Sequence, residues 1–160
     1  MIKDILLLGN EKLYKPSSEV RISELEEAKR IVEDLHDTLT AFREKKGFGR
    51  AIAAPQISAF KRIIYMNIDK PMAFINPRLE SVGDEVIELW DDCMSFPGLM
   101  VKVKRYKKCK LYYKDLSWQD CQLEFDGDLS ELIQHEYDHL DGILAVQRAL
   151  DNKSFKMVRE

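Results

Sequence analysis

The sequence has few of the residues that mark secreted, membrane-spanning or fibrous proteins. Its 160 residues include only 3 cysteines, 5 prolines and 7 glycines. An odd number of cysteines without paired spacing argues against a disulfide framework, and the low proline and glycine content argues against a repetitive chain. The apolar run in "MIKDILLLGN" has four residues, which is too short for a signal-peptide core or a membrane span. We therefore expect a protein of the reducing cytoplasm.

There is also no large excess of charge of either sign. The 25 basic and 28 acidic residues leave a formal net charge of −3, and no long basic run occurs. This balance gives no indication of a nucleic-acid surface, so we predict neither nucleic-acid binding nor membrane association. The length and the 45% hydrophobic content suit one globular domain with a substantial core, which we predict to span residues 1–160.

The predicted order of elements is a helix, several strands and a second helix. Apolar residues recur at helical spacing after a capping-box pattern at Ser23 and Glu26, and Gly47 ends the pattern. Continuous or alternating apolar runs predict strands within residues 62–68, 73–90, 99–115 and 118–125. In this prediction, the segment 73–90 contains two strands around a turn at Gly83. The pattern is typical of an α+β domain with mostly antiparallel strands.

The second predicted helix begins near "DGD", with Asp128 as its cap, Glu131 as capping-box partner and Gly142 as its stop. It contains "QHEYDH", in which two histidines lie four residues apart. Positions four apart share one helix face, so His135 and His139 can bind one metal ion through their imidazole nitrogens.

Glu136 lies between these histidines in the sequence, where its carboxylate can take a proton from a water molecule beside the metal. A charged helix can contain this pattern by chance. However, apolar neighbours such as Leu132 predict a buried helix, and unpaired charges are rare on buried helices. The segment therefore favours a metallohydrolase site over a solvated helix face.

A catalytic metal site of this type needs a third protein ligand. Cys109 and Cys121 alternate in phase with apolar neighbours, which suits inward-facing strand residues. Cys93 lies in "WDDCMSFPGL", at the end of a predicted strand, where functional side chains are frequent. Because Cys93 is also in phase with apolar residues, these observations leave a core role and a ligand role equally open for it. Asp141 and Asp151 are further candidates, although both suit helix-end and turn positions.

The stretch "GFGRAIAAPQIS", residues 47–58, is rich in small residues. Such residues allow the backbone to approach a ligand closely. Gln56 follows Pro55, and a glutamine carboxamide can donate a hydrogen bond to a developing oxyanion. An ordinary loop before a strand explains the same residues, and that interpretation would be preferred for this stretch alone.

Together, three stretches resemble motifs of the peptide deformylase family. The family motifs occur in the order G-x-G-φ-A-A-x-Q, E-G-C-φ-S and Q-H-E-x-D-H, where φ is apolar. The corresponding stretches here are GRAIAAPQ at 49–56, DDCMS at 91–95 and QHEYDH at 134–139. The third is complete, whereas the others have Ala51 for the second glycine, Asp91 for glutamate and Asp92 for glycine. The resemblance extends over most of the chain.

The resemblance implies an α+β fold with mostly antiparallel sheets packed around a central helix that bears the histidines. The implied ligands of one divalent metal ion per chain are Cys93, His135 and His139. The implied ion is Fe(II), with Zn(II) as a substitute, and a thiolate with two imidazoles suits either ion. The implied catalytic groups are the general base Glu136 and two oxyanion donors, the Gln56 amide and the backbone N–H of Met94.

The implied reaction removes the N-formyl group from the N-terminal methionine of newly made polypeptides in the cytoplasm. The implied partners are the formyl-methionyl substrate and, transiently, the ribosome. Residues expected to bind substrate are Gly49, Arg50, Ala51, Ile52, Asp92 and Leu132.

The departures from the motifs leave two alternative functions open. The first is a related metallohydrolase that acts on another formyl or acyl amide. The second is a catalytically silent, metal-containing binder of nascent N-termini, against which Glu136 and Gln56 argue because a structural site needs neither. If position 51 requires a positive φ, Ala51 would be strained by about 1 kcal/mol.

Overall fold

The computed structural model describes residues 1–158, and its order of elements confirms the predicted α+β class. The two α-helices are α1, Leu25–Lys46, and α2, Asp128–Leu140. The strands are β1, Ala51–Ala53; β2, Ile63–Asn67; β3, Pro71–Ser81; β4, Val86–Asp91; β5, Leu99–Tyr106; β6, Lys108–Lys114; β7, Asp120–Asp126; and β8, Phe155–Met157. Short 3-10 helices occur at Glu11–Tyr14, Ile22–Glu24, Ala54–Ile57 and Ala145–Arg148.

The strands form two antiparallel sheets. One has five strands in the order β1-β2-β3-β6-β7, and the other has three in the order β4-β5-β8. The predicted strands on either side of Gly83 exist, but β3 and β4 belong to different sheets and do not pair with each other. Similarly, the apolar alternation at 99–115 is divided between β5 and β6, which also lie in different sheets. The chain therefore crosses from one sheet to the other in the short connections between β3 and β4 and between β5 and β6.

Helix α1 covers the outer side of the five-stranded sheet. Its apolar stripe includes the buried residues Val32, Leu35 and Leu39, which pack in one core cluster with residues of β1 and β2. Gly47 ends the helix as predicted, in a left-handed conformation with φ 79°. The predicted capping box at Ser23 is wrong: the chain first makes a 3-10 turn, and the Glu24 carboxylate accepts the hydrogen bond that caps it. Within residues 1–158, no helix is long and apolar enough to span a membrane.

Helix α2 is the central helix that the resemblance implies, because it contacts both sheets. Leu132, Ile133 and Leu140 pack in a second core cluster with residues from β1, β2, β3, β6 and β7. The predicted cap is wrong, since Gly127 occupies the N-cap position and Asp128 is already the first helical residue. Glu131 is likewise not a capping residue, because its side chain is buried.

Candidate active site

Three segments converge on the polar face of α2. The first is β1 with the 3-10 helix Ala54–Ile57, the second is the turn that follows β4, and the third is α2 itself. The three motifs of the sequence lie on these segments in the same order. The fold thus brings together residues that are up to 90 positions apart, since Gly49 and His139 belong to the first and last motif.

The three predicted metal ligands meet in a buried cluster. Cys93 Sγ lies 3.4 Å from His139 Nε2, and the Nε2 atoms of His135 and His139 lie 3.3 Å apart. The three ligand atoms are within 4.8 Å of one another. Each of these residues is less than 5% exposed, with Cys93 at 4%, His135 at 3% and His139 at 1%. The two interpretations of Cys93 are therefore compatible, because it is both buried and adjacent to the histidines.

The other candidate ligands lie elsewhere. Cys109 is buried in β6 and Cys121 is partly buried in β7, and neither belongs to the cluster. Asp141 forms an ion pair with Arg62 at 2.8 Å. Asp151 accepts a hydrogen bond from a backbone N–H of its own turn at 2.8 Å. The interpretation of both aspartates as helix-end and turn residues is consistent with these contacts.

The donor set fits a divalent transition-metal ion. One sulfur and two nitrogen atoms suit Fe(II) or Zn(II) better than the hard ions Mg²⁺ and Ca²⁺. Asp91 Oδ2 accepts a hydrogen bond from His135 Nδ1 at 2.7 Å, which places the proton of this ring on Nδ1. The Nε2 lone pair of His135 is then free to face the other two ligand atoms. A hydrogen bond to the remote nitrogen is the usual device that orients a metal-binding histidine.

Asp91 is itself held by its neighbours. Burial opposes ionisation of its carboxyl group. The charge of His135 and the hydrogen bond with its ring outweigh this effect, so the pKa of Asp91 is lowered. Arg105 Nη2 lies 3.6 Å from Asp91 Oδ2. The sequence indicated Asp91 only as a shortened motif residue and gave no signal for Arg105, because a single arginine in a strand carries no pattern.

A second group of ionic contacts holds α2 through Asp138. Arg105 Nη1 donates to Asp138 Oδ2 at 2.7 Å, and Arg148 donates to both carboxylate oxygens of Asp138 at 3.0 Å. Asp138 lies on α2 next to His139 in the sequence. Arg105 of β5 is therefore connected to the helix through Asp138 and to the end of β4 through Asp91.

Glu136 is 3% exposed, and its Oε1 atom has no hydrogen-bond partner within the described residues. Burial is the largest cause that raises the pKa of Glu136, which reaches about 7. A carboxyl group with such a pKa can accept a proton and later donate it near neutral pH. The side chain lines the same cleft as Cys93 and His135.

Two predicted oxyanion donors lie beside Cys93. Gln56 is 1% exposed, and its Oε1 atom accepts from the Ala53 backbone N–H at 2.9 Å. Its Nε2 atom donates to Ser95 Oγ at 2.9 Å and lies 3.6 Å from Cys93 Sγ. The backbone N–H of Met94 donates to no protein acceptor in the described part of the chain. Both donors are therefore close to the cluster, and the Gln56 amide has a fixed orientation.

The cleft beside the cluster has a volume of about 430 Å³. The predicted substrate-binding residues that line it are Gly49, Arg50, Ala51, Asp92 and Leu132. Apolar residues that the sequence analysis did not single out also line it, namely Phe48 and Ile68. They carry no motif, and their positions follow from the path of the chain around β1 and β2.

Ile52 does not line the cleft. Its side chain is fully buried in the core cluster with α1, because the alternation along β1 directs Ala51 and Ile52 to opposite faces. Ala51 is not among the residues with a positive φ, so the anticipated backbone strain is absent. Gly49 has that conformation instead, with φ 122°.

Opposite charges lie on the rim of the cleft. Asp92 is exposed, and neither a hydrogen bond nor an ion pair holds its carboxylate within residues 1–158. Arg50 has a side chain that is 40% exposed and pairs with Asp128 at 3.3 Å. A peptide that enters the cleft would therefore meet a negative and a positive group near the entrance.

Comparisons with known proteins place the chain among similar sequences and structures. It matches the family model described as polypeptide deformylase over residues 2–155. The peptide deformylase of Dictyoglomus turgidum is 33% identical over 155 residues, which cover 96% of this chain and 97% of that protein. The crystal structure of peptide deformylase from Thermotoga maritima has a TM-score of 0.85 at 28% identity and covers 94% of this chain and 99% of that chain.

A third similar protein was solved with a peptide. The Met-Ala-Ser-bound crystal structure of class I type b peptide deformylase from Acinetobacter baumannii has a TM-score of 0.84 at 25% identity. It covers 92% of this chain and 98% of that chain. The likeness thus extends over nearly the whole of both chains.

Proposed function

The chain belongs to the peptide deformylase family, and we infer that Cys93, His135 and His139 hold the metal ion on which this family depends. The protein is a hydrolase that removes the N-formyl group from nascent peptides. The observation that carries the ligand assignment is the convergence of one thiol and two imidazole nitrogens within 4.8 Å at a buried position. We assign one ion per chain, with Fe(II) as the native ion and Zn(II) as a substitute.

When bound, the ion would supply the acidification of a water molecule, whose pKa can fall from about 16 to roughly 7, and the polarisation of the formyl oxygen. The buried Glu136 then acts as the general base and takes a proton from the attacking water. The same carboxyl group delivers that proton to the amine nitrogen of the methionine as the C–N bond breaks. Its pKa of about 7 suits both transfers, because neither protonation state is strongly favoured at neutral pH.

Two hydrogen-bond donors stabilise the negative charge on the formyl oxygen. We assign this role to the Gln56 amide and the Met94 backbone N–H. The hydrogen bond between Gln56 Oε1 and Ala53 N fixes the amide before substrate arrives. Donors that need no reorientation stabilise a developing charge most effectively.

The apolar part of the cleft binds the methionine side chain. Phe48, Ile68, Met94 and Leu132 supply apolar surface there, whereas Arg50 and Asp92 contact the peptide that follows. The Met-Ala-Ser peptide in the Acinetobacter baumannii protein supports a cleft of this kind. We further propose that residues 1–160 form a single catalytic domain, which acts in the cytoplasm and associates transiently with the ribosome.

Release of formate from a formyl-Met peptide tests the proposed reaction. The assay is done anaerobically after Fe(II) has been restored, and the matched substrate is the same peptide with an N-acetyl group. Rapid formate release with slow acetate release supports deformylation. Preferential hydrolysis of the acetyl peptide would indicate a related acyl-amide hydrolase, and hydrolysis of neither peptide would indicate a silent binder.

The ligand assignment predicts which substitutions remove the ion. Replacing Cys93, His135 or His139 by alanine should each sharply lower the metal content, measured by elemental analysis of the purified protein. Cys109→Ala and Cys121→Ala are the matched controls, because these thiols lie outside the cluster, and both should retain one ion per chain. Full occupancy in Cys93→Ala would remove this residue from the site.

A further inference from the structure

Glu131 is a buried acid on α2 to which the proposed mechanism gives no role. It precedes His135 by four residues, so both side chains lie on the same face of the helix, one turn apart. Its exposed fraction is 3%, and its Oε1 atom has no hydrogen-bond partner among the described residues. A carboxyl group in such a position is unfavourable unless a neighbouring group compensates for its lost hydration.

The neighbouring group is Asp91. Potential ligand atoms of Asp91, Glu131 and His135, all three buried, lie within 4.8 Å of one another. Burial, followed by the charge of Asp91, raises the pKa of Glu131 to about 9. Two buried carboxyl groups this close do not both ionise. Asp91 accepts from His135 Nδ1 at 2.7 Å and lies 3.6 Å from Arg105 Nη2, whereas no ion pair to Glu131 occurs among the described residues. Glu131 is therefore the protonated partner that donates to Asp91.

This chain of contacts accompanies a change in the second motif. Asp91 stands where the motif has glutamate, so the carboxylate that orients His135 is one methylene shorter. The Glu131 carboxyl group comes close to this shortened carboxylate from the helix side, since both lie within 4.8 Å of each other and of His135.

We propose that Glu131 is a positioning residue that braces Asp91 and thereby keeps His135 Nε2 directed at the metal ion. The proposal rests on the assignment of His135 as a ligand. Glu131 itself contacts neither the ion nor the substrate. Its effect should therefore appear in how firmly the ion is held, since the partners of metal-binding histidines typically affect metal affinity by about 10–100-fold.

The rate at which a chromophoric chelator removes Zn(II) from the Zn(II)-loaded protein tests this role without any activity measurement. Glu131→Ala should accelerate removal by about 10-fold or more, at the lower end of the range for such partners. Glu131→Gln should stay close to the unmodified protein, because its amide still donates to Asp91. A Glu131→Gln rate equal to that of Glu131→Ala would overturn the hydrogen-bond account.

A compensating substitution separates positioning from general weakening of the fold. Asp91→Glu restores the longer carboxylate of the motif, so the double variant Asp91→Glu/Glu131→Ala should recover slow Zn(II) removal. Gln134→Ala is the matched control, because it removes partly buried hydrogen bonds between α2 and Tyr106 without touching Asp91. This control should lower the unfolding temperature but leave Zn(II) removal unchanged.

Two further results would overturn the proposal. One is equal Zn(II) removal from Glu131→Ala and the unmodified protein, and the other is a defect that Asp91→Glu does not correct. The His135→Ala variant distinguishes this failure from failure of the ligand assignment. If His135→Ala loses Zn(II) while Glu131→Ala holds it normally, the ligand assignment stands and only the positioning role is wrong.

Discussion

The assignment of Gln56 as an oxyanion donor makes a quantitative prediction about Gln56→Ala. The substitution removes the Nε2 donor, which now lies between Ser95 Oγ at 2.9 Å and Cys93 Sγ at 3.6 Å. It also removes the acceptor that binds the Ala53 N–H. Loss of the donor should weaken stabilisation of the transition state, whereas loss of the acceptor should lower the free energy of unfolding. The two effects therefore need separate measurements.

The expected catalytic loss follows from the type of interaction. Removal of one pre-oriented donor from an oxyanion site lowers kcat by about 10²–10³-fold, or about 2.7–4 kcal/mol of transition-state stabilisation. Because the Gln56 amide is already fixed by Ala53, it does not need substrate to order it. Its loss should therefore appear mainly in kcat, with little change in KM.

The expected stability loss is smaller but measurable. The Ala53 N–H is buried, and a buried donor without a partner costs about 1–3 kcal/mol. Gln56→Glu is the matched variant, since its carboxylate can still accept from Ala53 but presents no donor to the formyl oxygen. If loss of the hydrogen bond from the Ala53 N–H were the cause of reduced turnover, Gln56→Glu would be more active than Gln56→Ala.

Steady-state formate release gives kcat and KM for both variants, and urea denaturation gives their free energies of unfolding. We expect both variants to lose turnover and Gln56→Glu to gain none over Gln56→Ala. The metal content should stay at one ion per chain in each. A change confined to KM, or an unchanged kcat in Gln56→Ala, would refute the oxyanion role and leave Gln56 as a substrate-positioning residue.

Three other substitutions test neighbouring parts of the site. Glu136→Gln should retain the ion, by elemental analysis, and lose most turnover because it removes only the proton acceptor; turnover like that of the unmodified protein would contradict the base assignment. Asp92→Gly should raise kcat/KM most for peptides with Asp or Glu after the methionine, and added salt should reduce the gain. Equal, salt-independent rates on neutral and acidic peptides would mean that Asp92 does not face substrate. Arg105→Leu should lower the free energy of unfolding in urea by about 3–5 kcal/mol, because it leaves buried carboxylates at Asp138 and Asp91 short of a partner; a loss below about 1 kcal/mol, the scale of a surface ion pair, would contradict this.

Local patterns predicted the parts of the structure that depend on local spacing. The four-residue separation of His135 and His139 sets their shared helix face whatever surrounds them. Gly47 ended α1 as predicted, because a left-handed residue is a local requirement. The motifs also indicated Cys93 correctly as a neighbour of the histidines, although alternation alone gave equal support to a core position.

Features that depend on distant contacts could not be predicted in this way. Alternation located β3 and β4 but did not show that they join different sheets, since pairing depends on partners elsewhere in the chain. Ile52 was predicted to line the cleft because it belongs to the first motif. The pleat of β1 instead directs its side chain into the core cluster with α1. Glu131 illustrates the same limit, because Asp128 and Glu131 have capping-box spacing but the helix already begins at Asp128.

The distribution of acids on α2 explains why a buried helix can carry so much charge. Asp138 receives hydrogen bonds from two arginines. Glu131 lies within 4.8 Å of Asp91, which accepts a hydrogen bond from His135. Glu136 differs from both, because no hydrogen bond or ion pair to it occurs within the described residues. Its burial without a partner raises its pKa to about 7, whereas a partner such as Arg105 would have kept it ionised and made it a poor proton donor. The absence of a partner at Glu136 is thus what makes this acid, among those of α2, suited to accept a proton and return it.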